Sequence, residues 1–258
     1  MFVAFEKENE SERFFERFHD RFKPPQVQKR KVEVPYALPF YVVRAKEHRG
    51  KYPWEAAEDA AGILCSRALL PFWAKPEEGT KIVPFSPSVF LSRLLFNSAA
   101  KTIEKMMLDP RKVIITLIDS GAYLVDLFEE LVFFGSQLCV VTDSFAPYES
   151  LAEKLLKKYG VSLLVCAKLP KDAQNSTFII SDSILPVPMD FSGVLFTNEK
   201  KRLENAVVIV GEGFTLPEKY TSLLPEDADE LSFAGALYEL CGANELGRLG
   251  YDKMCACG

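Results

Sequence analysis

The side chains able to do chemistry collect where short apolar runs end. Asp119, Ser120, Gly121 and Ala122 follow "KVIITLI", Asp143 follows "QLCVVT", and Ser181 and Asp182 close "TFII". Lys168 and Tyr123 stand near the same boundaries. A carboxylate in such a place accepts the hydroxyls of a sugar or takes a proton as a general base. A glycine admits close backbone approach, and backbone N–H groups opening a helix attract an anion. On those grounds Asp119, Asp143, Asp182, Lys168 and Tyr123 are the acid–base candidates. A plainer role is open to each: Asp119 or Ser120 as a helix N-cap, Gly121 as an easy turn, Asp143 as a loop former.

Other chemistry lacks its residues. The chain contains neither GxxxxGK[ST] nor G-x-S-x-G, and both of its histidines, His19 and His48, come early. A Ser-His-Asp arrangement therefore has little material. The six cysteines include no CxxC pair, so no zinc site is expected. They read as thiols packed as small hydrophobes, with Cys255 and Cys257 either on a frayed tail or a pair with a metal or redox role.

The elements holding these residues change in texture along the chain. Residues 1–108 read as a smaller, mainly helical N-terminal region. There Phe14, Phe18 and Phe22 recur every fourth residue among charges and form an amphipathic aromatic stripe. That helix either docks on the core or makes a homodimer contact. Lys29, Arg30 and Lys31 read as a solvated segment, and "PYALPFYVVRA" as a short aromatic strand or extended piece. Helices are expected after Pro53 and from Ser86 or Ser88.

Residues 109–258 alternate strand and helix. "KVIITLI", "QLCVVT", "VSLLVCA", "TFIIS", "GVLFT" and "AVVIV" are six buried strands of a mostly parallel sheet. "AYLVDLFEELVFFG" and "PYESLAEKLLKKYG" are the helices between the first three. The later links are too short for crossover helices, so loops or single turns must cross. "DADELSFAGALYELCG" is a last helix packing back on this sheet.

Residues 111–143 resemble a Rossmann-type NAD(P)-binding half, with strand, glycine turn, helix, strand and a closing acid. The resemblance implies a doubly wound α/β fold with six strands in the order 3-2-1-4-5-6. It also implies NAD or NADP as cofactor, held at Asp119, Ser120, Gly121, Ala122, Asp143, Ser181 and Asp182 along the carboxyl rim. Asp143 lies 22 residues after Gly121, at the position of the ribose-binding acid. The turn departs from G-x-G-x-x-G: Asp119 replaces the first glycine and Leu124 the third. A carboxylate there repels a pyrophosphate, and Leu124 pushes the helix from the strand. A second pair, Gly211 and Gly213, opens no βαβ unit and reads as a flexible turn.

Two functions follow as expectations. One is an NAD(P)-dependent oxidoreductase. The other is a non-catalytic interaction or scaffold protein of the same architecture that has lost dinucleotide binding. A net charge of −5 disfavours nucleic acid as partner, and no apolar run reaches the ~20 residues of a membrane helix. Without a secretory pattern at its start, the chain is expected to be cytoplasmic.

Overall fold

The structure is a computed structural model and describes residues 1–8, 24–48, 51–182, 190–200 and 202–257. The Phe14, Phe18 and Phe22 stripe, and with it the expected dimer contact, lies outside the described residues. Chain contacts divide the molecule into two units, Met1–Ser88 with Thr215–Leu246 and Val89–Phe214 with Gly247–Gly258. The sequence boundary at residue 108 falls inside the second. Among the described residues no helix is long and apolar enough to cross a membrane.

The first unit differs from its mainly helical expectation by carrying a four-stranded sheet. Its strands are β1 (Val3–Lys7), β2 (Val27–Val32), β3 (Phe40–Ala45) and β4 (Ala68–Leu69), in the order β2-β3-β1-β4. Only β2 runs antiparallel to its neighbour. The basic segment is this edge strand, and its lysines and arginine stay in solvent. Such charges protect an exposed edge from further pairing. Helix Trp54–Ala61 starts where Pro53 allows and buries Trp54, Ala57 and Ala61.

The late helix Glu230–Ala236, capped by the Asp229 carboxylate on Ser232 N–H, also belongs to this unit. It does not return to the long sheet as expected. Phe233 instead sets its ring edge against Phe2 and Phe40, which stack at 4.8 Å. Three aromatic faces bury more apolar area together than Phe233 would gain alone.

The second unit holds a seven-stranded sheet: β5 (Ile114–Ile118), β6 (Gln137–Val141), β7 (Leu163–Cys166), β8 (Phe178–Ser181), β9 (Val194–Thr197), β10 (Val207–Glu212) and β11 (Lys253–Ala256). The order is β11-β10-β9-β8-β5-β6-β7. Its first six strands are parallel and follow 3-2-1-4-5-6, so the unit is a Rossmann-like α/β domain. The seventh strand is the supposedly frayed tail. It pairs antiparallel with β10, and Met254 packs on the main core.

Gly211 lies within β10 rather than in a turn, paired with Met254, and the Tyr251 ring covers it so closely that a Cβ would meet the ring at 2.0 Å. Helix Phe145–Tyr159 covers one face of the sheet and ends at Gly160, as expected. Helix Ser88–Lys105 adds Leu95, Phe96 and Ala99 to the same core.

Charged pairs bind the surface of both units. Hydrogen bonds from Lys154, Lys158 and Tyr159 hold the Glu129 carboxyl down at about 2. Lys219 and Tyr220 hold Glu245 at about 2. A carboxyl depressed below its unfolded value of ~4.3 stabilises the fold fully above that value and loses the effect as pH falls through its folded pKa. The melting temperature is therefore expected to be level from pH 8 to about 5, then to fall steadily toward pH 2. Added salt should shrink the fall, since these pairs face solvent. A melting temperature unchanged at pH 3 would contradict this account.

Candidate functional site

The carboxyl ends of β5, β6 and β7 and the connection after β7 enclose an open cleft of about 840 Å³. Ser120, Asp143, Lys168 and Asp182, four of the residues singled out by position, line it. Ile118, Val141 and Leu169 supply apolar wall. The strand order reverses beside β5, where an open α/β sheet forms its ligand crevice.

The Gly121 turn is built differently from a phosphate cradle. Asp119 is only 5% exposed. Its Oδ1 accepts the Tyr123 N–H at 3.0 Å, and its Oδ2 accepts the Leu124 N–H at 2.9 Å and the Tyr148 hydroxyl at 2.6 Å. Burial and the neighbouring Asp119 hold the Tyr148 phenol far above its ordinary pKa, so it donates. The carboxylate thus takes the N–H groups a pyrophosphate would otherwise meet.

Ala122 stands at φ 55, the left-handed region, which stops a helix from starting there. The expected helix over 122–135 is consequently a run of turns and a 3₁₀ helix, Phe128–Phe133. Leu124, at the third glycine's place, is buried in the core with Phe128 and Leu131. Gly121 serves the protein's own ring: a Cβ there would meet Tyr123 at 2.2 Å. That ring is 48% exposed and free to yield.

The remaining positions separate cleanly. Asp143 is exposed at the end of β6, and its N–H donates to the Ser120 carbonyl at 3.2 Å, joining two sides of the cleft. Thr142, buried beside it, donates to the same carbonyl at 3.4 Å. Asp182 is exposed and accepts from Ser92 Oγ at 3.4 Å. Ser181 is buried in β8 and does not line the cleft. Asp119, Gly121, Ala122 and Tyr123 lie outside its lining as well.

Sequence reading did not single out Lys171, Asp172 and Gln174, which complete the wall from the β7–β8 connection. Their signal was "KLPKDAQNS", a polar stretch too short for a crossover helix and so left at the rim. The arrangement offers three carboxylates, Asp143 and Asp182 at strand ends and Asp172 on the connection, with two ammonium groups, hydroxyls and apolar walls. Those groups suit a sugar, a phosphate and a flat base respectively.

No protein-family model and no curated protein matches this chain. Among solved structures it is similar to the Δ1-pyrroline-2-carboxylate reductase of Thermococcus litoralis in complex with NADH and L-proline, at 13% identity and a TM-score of 0.27. That match covers 41% of this chain and 33% of the reductase. It is also similar to the L-tryptophan dehydrogenase of Nostoc punctiforme, at 11% identity and a TM-score of 0.32, over 64% of this chain and 53% of that one. The chain thus spans about a third of the reductase and about half of the dehydrogenase.

Proposed function

We propose that this protein binds a nucleotide-type ligand in the rim cleft, with NAD and NADP the first candidates. In this reading Asp143 accepts the ribose hydroxyls, Ile118, Val141 and Leu169 flank the base, and Lys168 and Lys171 balance phosphate charge. The observation that carries it is the exposed Asp143 carboxylate at the end of the second parallel strand, facing an open cleft. Ser120 and Asp182 complete the polar wall.

Because Asp119 already holds the Tyr123 and Leu124 N–H groups, a diphosphate gains little from that turn. The nucleoside end then supplies most of the affinity. AMP is expected to stabilise the protein about as well as NAD(H) or NADP(H) at equal concentration. A ligand at a hundred times its Kd raises stability by ~2.7 kcal/mol, which thermal scanning resolves. Asp143→Ala should abolish the shift. The reading fails if no nucleotide in the panel shifts the wild type at millimolar concentration.

NAD(P)-dependent oxidoreduction is the catalytic form of this proposal, tested by reduction of bound cofactor in the presence of candidate substrates. The second reading, an interaction or scaffold protein without a cofactor, is favoured by the self-filled turn. It is supported if the nucleotide panel is silent while light scattering finds a defined homodimer. Ala substitutions at Phe14 and Phe18 then test whether that dimer forms through the N-terminal stripe.

A further inference from the structure

A second cleft, of about 580 Å³, lies against the sheet face that carries Thr116, Cys139 and Leu164. Register sets these three side by side across β5, β6 and β7. The helical segments between those strands pack on the other face, against Ile115, Leu117, Leu138 and Val140. This face is served by the β7–β8 connection, whose Pro170, Ala173 and Ser176 help to wall the cleft. That link must pass β6 and β5 to reach β8, three strand spacings or roughly 14 Å. A crossover with a covering helix takes about a dozen residues or more. This one contains the short 3₁₀ helix Lys171–Asn175 instead. The face is therefore left concave, and Leu164 stays 54% exposed.

The floor of the cleft is polar and fixed. Thr116 and Ser176 are 1% and 4% exposed, and their hydroxyl oxygens lie 2.9 Å apart. Two hydroxyls carry two O–H donors and four lone pairs, and their mutual bond uses one of each. What is left over can serve a molecule in the cleft. The walls include Ile114, Leu164, Pro170 and Ala173, all apolar. Among the described residues no lysine, arginine or histidine lines the cleft, and its one charged side chain is Asp172.

That lining selects by charge. An anion finds no counter-charge and meets the Asp172 carboxylate. A cation finds only Asp172, which is exposed and screened by water. A neutral molecule carries neither cost. Its apolar body covers Leu164, and one hydroxyl reaches the Thr116–Ser176 pair. The volume lies within the ~300–1,000 Å³ of small-molecule sites, which combine apolar walls with a few placed polar groups.

We propose that this cleft is a second binding site, for an uncharged, largely apolar small molecule bearing a hydroxyl group. It differs in chemistry from the rim cleft, where Lys168 and Lys171 stand in the lining. It does not depend on a nucleotide binding there.

The test titrates the full chain, labelled with ¹⁵N, with 2-naphthol near pH 7, where that probe is neutral. Amide signals of Thr116, Cys139, Leu164 and Ser176 should move together along one binding curve. Naphthalene, which lacks the hydroxyl, and 2-naphthoate, which is an anion, should each bind at least tenfold more weakly. Leu164→Asp alters an exposed position and should abolish binding in a folded protein. Thr116→Val combined with Ser176→Ala replaces both hydrogen-bond partners by apolar groups, a change that costs little stability. It should reduce 2-naphthol to the affinity of naphthalene. AMP in excess should leave 2-naphthol binding unchanged, so a silent nucleotide panel does not bear on this site. The proposal is overturned if those amides do not move, if 2-naphthoate binds as tightly, if AMP displaces the probe, or if either folded variant binds it as the wild type does.

Discussion

Asp119→Ala is expected to destabilise the protein by about 3–5 kcal/mol, lowering its melting temperature by roughly 10 °C. The carboxylate has three donors, the N–H groups of Tyr123 and Leu124 and the Tyr148 hydroxyl. Tyr148 is fully buried. Removing the acceptor strands all of them, and each buried donor without a partner costs ~1–3 kcal/mol. Asparagine should rescue little, since either orientation of the amide sets its NH₂ against a backbone N–H. Tyr148→Phe should cost less, because one bond is lost and the apolar ring remains. In the double variant the two effects should fall short of their sum, as they share one contact. Sulfate should stabilise the alanine variant more than the wild type, because the freed N–H groups can receive an anion. Urea denaturation decides the matter: a loss below about 1 kcal/mol for Asp119→Ala would mean that water satisfies these groups and the turn is not self-filled.

The same residue marks how far the sequence could be read. The six parallel strands were legible because short runs rich in Ile, Val and Leu alternate with helical spacing, the pattern of a parallel sheet. Asp143 was legible as the acid at a strand end. Asp119 was visible as a misplaced carboxylate and as a cap, but its partner Tyr148 lies 29 residues away, a pairing that spacing cannot disclose. The helix expected over 122–135 was lost for a related reason. Its apolar spacing is helical, yet Ala122 at φ 55 and the anchored N–H groups override propensity. In the first unit β1 and β4 are only five and two residues long, too short for a clear period. β2 carries the charge of an exposed edge and so resembles a loop. β11 is held by β10 and by Met254 on the core, contacts invisible in "KMCACG" read alone.

Arg93→Ala is expected to cost about 2–4 kcal/mol, acting where the tail and the turn meet one helix. The guanidinium is buried to 8% exposure on helix Ser88–Lys105. It grips Asp126 in a fork, Nη1 to Oδ1 at 2.8 Å and Nη2 to Oδ2 at 2.6 Å. Nη1 also donates to the Tyr123 carbonyl at 3.0 Å, and Nε to the Gly247 carbonyl at 3.3 Å. The Arg93 hydrogen bonds hold the Asp126 carboxyl below its usual range. Asp126 itself is largely exposed, which places the cost nearer the lower figure, because water screens its half of the pair. The helix fixes the turn that carries Asp119, and Asn97, one turn later, donates to Gly247 and Leu249 carbonyls at 3.1 and 2.6 Å. Those bonds steer the chain into β11. Arg93→Lys should fail nearly as badly, because one ammonium cannot supply a planar fork and a third direction together. Hydrogen exchange should then quicken at the amides of β11 and at Tyr123 and Leu124, while the β5 and β8 amides keep their protection. Equal quickening throughout the sheet, or a lysine variant as stable as the wild type, would show that the fork does not hold these segments.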